Sequence, residues 1–132
     1  MEEIKVGEYV RTKEGYLGIL IAINKQDYNY LVVDTSIEVR KDGYTSTYLY
    51  LKKGNIKKHS KQLIDLIEVG DIVNGMEVLD IHKPRDLWEP IEIRVDSRYT
   101  NFILAEDIQT ILTKEIYMAN CYKVWGEENE RI

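Results

Sequence analysis

The chain has 132 residues, 44% hydrophobic and 31% charged, with a formal net charge of −5. That is enough for one ordinary domain or two very small ones of globular composition, and the lack of a long apolar run or an N-terminal signal pattern points to a protein that works in the cytosol where it is made. The charge argues against a broadly basic nucleic-acid surface, and the single Cys121 excludes an internal disulfide and a cysteine-built zinc site.

Along the chain, apolar residues alternate or run continuously rather than recurring at helical spacing. Ile4 to Val10 reads as a first strand, with Gly7 permitting a sharp bend. Leu17 to Ile23 (LGILIAI), Tyr28 to Val33 (YNYLVV) and Thr45 to Leu51 (TSTYLYL) follow as strands, each short, rich in β-branched or aromatic residues and bounded by turn residues. Lys13-Glu14-Gly15 and Lys41-Asp42-Gly43 place glycine where a tight hairpin needs positive φ. Ser60 to Leu66 fits one helical or 3₁₀ turn, with Ser60 available as a cap. Ile67 to Val73 then reads as a second opening strand, followed by Asn74-Gly75, the strongest hairpin signal in the chain, and by strands at Met76 to Ile81 and Ile91 to Val95. Glu106 to Ile111 repeats the single turn, with Asp107 as its cap, before a closing strand that takes in Cys121 and Tyr122, with Trp125 as a plug at its end and an acidic, frayed terminus beyond. No stretch makes a long amphipathic helix.

The chain states one pattern twice. Val6-Gly7-Glu8-Tyr9-Val10 matches Val69-Gly70-Asp71-Ile72-Val73, each with an Ile two positions upstream, and Ser60 to Ile67 aligns without gaps on Ala105 to Leu112. Measured between these landmarks, the first copy carries about 18 extra residues, assigned to Asp34–Gly54. Because the shorter copy folds without it, such an elaboration is expected to carry function rather than framework. Units of about 65 residues are marginal alone, so the halves should pack on each other.

The order of strand, hairpin, strands, single turn and last strand resembles that of small SH3-like barrels, and the opening motif with its Gly turn resembles the first hairpin of KOW and Tudor-type barrels. The expected fold is therefore all-β. Two SH3-like barrels are expected in tandem (residues 1–66 and 67–132), the first with an inserted β-hairpin near 34–54, each with a short 3₁₀ or helical turn before its last strand. More particularly, Ile56-Lys57-Lys58-His59-Ser60 running into Leu63 to Gly75, then Ile111 to Glu115 and Tyr122-Lys123-Val124, resembles small proteins encoded by phages and prophages of Gram-positive bacteria. That resemblance supplies no catalytic motif. It implies a setting in which accessory proteins of this size bind and blunt host immunity, as anti-CRISPR proteins do, or sequester immune nucleotide signals.

An enzyme is not expected. His59 and His82 have no metal spacing with each other or with Cys121, and phosphate-loop and nucleophile motifs are absent. No cofactor and no metal site follow, and Asp65, Glu68 and Asp71 read as solvated edges. Binding is better founded, since ten tyrosines and two tryptophans give rings with an apolar face and a polar tip. Tyr44, Tyr48 and Tyr50 with Lys52 and Lys53 form one candidate surface. Trp88, in a loop stiffened by Pro84 and Pro90 and carrying Arg85, is either an anchor for a partner or a lid over its own core. Three partner classes follow: a host protein, such as a nuclease or other immune effector; a nucleotide, with tyrosines on bases and Arg40, Lys52 or Lys53 on phosphates; or a nucleic acid held by Lys57, Lys58 and Lys61. The lysine group equally fits an edge strand kept soluble by charge, and exposed edges make a homodimer plausible.

Overall fold

The computed structural model describes residues 3–24, 30–35, 48–84, 86 and 88–122. Among these described residues, ten strands make two antiparallel five-stranded sheets. β1 (Tyr9–Thr12), β2 (Leu17–Asn24), β3 (Tyr30–Asp34), β4 (Tyr48–Lys52) and β5 (Ile56–Ser60) lie in the order β4-β3-β2-β1-β5. β6 (Ile72–Val73), β7 (Met76–His82), β8 (Glu92–Val95), β9 (Phe102–Ile103) and β10 (Ile111–Leu112) lie in the order β10-β6-β7-β8-β9. Among the described residues neither sheet closes on itself, since β4 does not pair with β5, nor β9 with β10. Short 3₁₀ turns at Lys53–Asn55, Leu63–Leu66 and Ala105–Asp107 and one helix, α1 (Lys114–Asn120), complete the described chain.

The duplication seen in sequence is carried by matched hydrogen bonds. Gly7 and Gly70 both adopt φ of +97°, a conformation that glycine accepts without steric cost. The Gly7 N–H donates to Leu20 O, and the Gly70 N–H to Val78 O. Glu8 N–H reaches Lys5 O, as Asp71 N–H reaches Glu68 O, and each acidic side chain accepts from the backbone N–H three residues earlier. Both second strands then bulge at the same place, between Leu20 and Ala22 and between Val78 and Asp80. The cores correspond too. Ile4, Val10, Leu20, Leu31 and Val33 fill one, and the equivalent Ile67, Val73, Val78, Ile93 and Val95 fill the other, each contributing about 1.5–3 kcal/mol by leaving water.

The match at the closing end differs from the sequence alignment by seven positions. Strand pairing sets His59 opposite Val10 and Ile111 opposite Val73, so Ser60 is equivalent to Leu112, and Lys53–Asn55 is the counterpart of Ala105–Asp107. The turn expected at Ser60 to Leu66 is present over Leu63–Leu66, but it follows the last strand of its sheet instead of preceding it. Both opening strands start only after their glycine turns, at Tyr9 and Ile72. Cys121 is half-buried as expected, but it follows a helix and not a strand.

The elaboration is smaller than expected. Val10 to His59 spans 49 positions against 38 from Val73 to Ile111, a difference of 11. Within Asp34–Gly54, β4 is no inserted element: it pairs with β3 along five residues, and Leu49 and Leu51 pack on the first core. The excess falls in the β3–β4 connection, whose residues 36–47 lie outside the described ones. Asn74 and Gly75 have φ of +53° and +81°, as a type I′ hairpin turn requires. The Asn74 side chain also bonds Asp107 O and the N–H groups of Gln109 and Thr110, tying the β6–β7 hairpin to the segment that leads into β10.

Candidate binding surfaces and the charged junction

Strand alternation sends Val10 into the first core and Arg11 to the opposite face, where the segment Leu66 to Asp71 and the start of α1 meet it. Arg11 is wholly buried. Its guanidinium forks onto Asp71 at 2.6 and 2.8 Å, donates to Leu66 O at 2.9 Å and reaches Glu115 Oε1 at 2.6 Å. Asp71, also wholly buried, accepts two further bonds from the backbone N–H groups of Glu68 and Lys114. Around this centre Glu68 meets Lys57 and Lys114, each at 2.9 Å, and Lys58 at 3.4 Å. Lys57 bridges on to Glu115 at 3.1 Å. Thr113 caps α1 and donates from its hydroxyl to Gly15 O, closing α1 onto the β1–β2 turn. The two sheets are thus joined through a charged cluster.

This junction corrects one expectation. Glu68 and Asp71 are not solvated edges; they are buried counter-ions, and Asp65 is bonded to Ser60 Oγ. Lys57 pairs with Glu68 and Glu115, and Lys58 with Glu68, while Lys61 is exposed. Arg11 went unrecognised in the sequence; the available signal was a lone arginine beside Val10 at the end of an alternating strand.

Carboxylates held by so many cations stay ionised in acid. Burial works against the Glu68 charge, but hydrogen bonds from Lys57 and Lys114 and the charges of Arg11 and Lys58 prevail and bring its pKa to about 2. Burial likewise opposes the charge on Glu115, and bonds from Arg11 and Lys57 hold it below its ordinary value. Folded-state values below unfolded ones give stability that is complete above about pH 4.5 and is lost as pH falls toward 2. Urea unfolding between pH 7 and pH 2 should therefore show a fall on the order of 2–3 kcal/mol, and Glu68→Gln should flatten that fall. A pH-independent midpoint would show that the cluster does not form in solution.

The expected binding residues divide. Tyr48, Tyr50 and Lys52 are exposed on one face of β4, alternating with the core-facing Leu49 and Leu51. Lys53 is exposed in the adjoining 3₁₀ turn. Tyr44, Arg40 and Arg85 lie outside the described residues, as do Gly43 and Trp125. Trp88 is 82% exposed, so it does not cover a core.

A further surface, not anticipated from the sequence, is the outer face of β7, β8 and β9. Asp80, Arg94 and Phe102 stand opposite one another across the three strands, and His82 stands opposite Glu92 in the next row. With Asn101 these side chains line an open depression of about 550 Å³. The connection bearing Trp88 leaves the sheet at the His82–Glu92 row, and the connection bearing Tyr99, 92% exposed, lies beyond the Arg94–Phe102 row at the other end. Ser97 Oγ accepts from the N–H groups of Tyr99 and Thr100, fixing the second connection. Among the described residues, no three His, Cys, Asp or Glu side chains converge to hold a metal ion, and no helix is long and apolar enough to cross a membrane. Compared with protein-family models, curated proteins and solved structures, the chain matches none.

Proposed function

We propose that the chain is a non-enzymatic binding protein of two small SH3-like β units, phage-encoded and directed at a host protein of bacterial defence, with the outer face of β7–β9 and Trp88 as its partner surface. One observation carries this reading: three exposed rings, Phe102 on β9 and Trp88 and Tyr99 in the connections that enter and leave β8, belong to the end of the molecule that presents one charged face. Exposed aromatic side chains of this kind anchor partners at low entropic cost. The SH3-like reading is supported by the strand order, in which the last strand of each sheet lies beside its first, and by the 3₁₀ turn that leads into it. The phage setting rests on the sequence resemblance.

Trp88→Ala should lower capture of the partner from a Gram-positive lysate by about thirtyfold, the equivalent of roughly 2 kcal/mol at an anchor. Its melting curve should not change, because the ring is 82% exposed. Undiminished capture would remove Trp88 from the partner surface. A second reading is favoured by the placement of Tyr48, Tyr50 and Lys52 on one exposed face, an arrangement suited to stacking bases and meeting a phosphate of a small nucleotide. Binding of a mononucleotide that is lost in Tyr48→Ala would decide for it. The engagement of Lys57 and Lys58 at the junction weighs against the third reading, a nucleic-acid module.

A further inference from the structure

The depression on the second sheet is charged in a way that selects among ligands. We infer that it takes an extended segment of the partner protein in which an arginine and a carboxylate lie two residues apart; this rests on the partner surface proposed above. The lining holds two carboxylates, Asp80 and Glu92, against one guanidinium, Arg94, so carboxylates outnumber guanidinium there. Such a lining disfavours a phosphate chain and favours a ligand that brings a cation together with one anion.

The pairing register supplies the match. Glu92 is diagonal to both Asp80 and Phe102, because each of those stands opposite Arg94, two residues further along β8. Diagonal neighbours on a sheet are about 7–8 Å apart, within reach of long side chains. One guanidinium placed there meets the Glu92 carboxylate, with Asp80 on one side and the Phe102 ring, 49% exposed, available as a stacking face on the other. Glu92 and Arg94 point to the same face roughly 7 Å apart along β8, the spacing that an extended ligand gives its own residues two apart. Among the described residues, no salt bridge engages Asp80, Glu92 or Arg94, and the hydrogen bond to Asp80 comes from the neighbouring Ile81 N–H. The charges at the junction, by contrast, are tied to one another. Open on one side and polar, the depression differs from the enclosed apolar pockets that hold small metabolites.

The test is an NMR titration of the full isotope-labelled chain with N-acetyl-Arg-Gly-Glu-amide and with two variants, one with citrulline for arginine and one with glutamine for glutamate. Saturable shifts are expected at the amides of Glu92, Arg94, Asn101 and Phe102, with each variant binding about two- to fivefold more weakly, as exposed ion pairs do. Glu92→Gln should erase the difference between the arginine and citrulline peptides, Arg94→Gln the difference between the glutamate and glutamine peptides, and Phe102→Ala should weaken all three. Equal binding of the three peptides, shifts centred on Tyr48 to Lys52, or tighter binding of a mononucleotide at the same face would each overturn the assignment. Loss of partner capture in Trp88→Ala with no response to the peptide sinks this inference alone; a peptide response with capture undiminished sinks the proposed role of Trp88 alone.

Discussion

Replacing Arg11 with leucine should destabilise the fold by about 3–5 kcal/mol, the usual cost of leaving a buried charge without its partner. The substitution removes a side chain that is wholly buried and strands Asp71, itself wholly buried, with only backbone N–H donors. Glu115 and Glu68 lose their deepest cation in the same step. Lysine at position 11 should recover only part of the loss, because a single ammonium cannot fork onto both Asp71 oxygens while also serving Leu66 O and Glu115. Pairing Arg11→Leu with Asp71→Asn should restore stability relative to Arg11→Leu, since the stranded charge is gone. Urea unfolding at pH 7 measures all four proteins. A loss below about 1 kcal/mol for Arg11→Leu would show that the junction is solvated in solution.

Gly15→Val should cost about 2–4 kcal/mol through two causes that can be separated. Gly15 has φ of +96°, which a β-branched residue adopts only under strain, and an added Cβ would stand 2.5 Å from Thr113 Oγ1 and 2.7 Å from Glu115 Cβ. Relieving that overlap pushes the start of α1 away and breaks the Thr113 bond to Gly15 O. Gly7→Val is the control, because Gly7 has the same strain at φ of +97° and an added Cβ there would meet nothing within 4 Å. A larger loss at Gly15 than at Gly7 isolates the steric part; equal losses would mean that α1 does not close on the β1–β2 turn.

The difference between what the sequence discloses and what it hides follows from how far each signal reaches. Leu17–Asn24 and Met76–His82 were legible because their apolar patterns are local, and Asn74-Gly75 because a type I′ turn is settled by its two central residues. The repeat was legible at its opening, where glycine, acid and buried Ile are all held by one tight turn. It was misaligned at its close, where Leu63 and Leu66 mimic the apolar spacing of Ile108 and Ile111 while the true counterpart of Ile111 is the polar His59. Only the pairing of each last strand with its first decides that equivalence. Arg11 was hidden for a tertiary reason: alternation turns it away from Val10, onto a face that solvent would own but for the segment Leu66 to Asp71 and α1. The depression on β7–β9 was hidden because Asp80, Arg94 and Phe102 come from three strands and look individually like ordinary exposed positions.

The contact between Arg11 and Glu115 spans 104 residues. During synthesis the first sheet has all its strands once Ser60 has emerged, yet its guanidinium must wait, at roughly 5–20 residues per second, for several more seconds until the far carboxylate leaves the ribosome. Throughout that interval the guanidinium can meet only Asp71, Glu68 and the Leu66 carbonyl, and the arrival of α1 completes its set of partners.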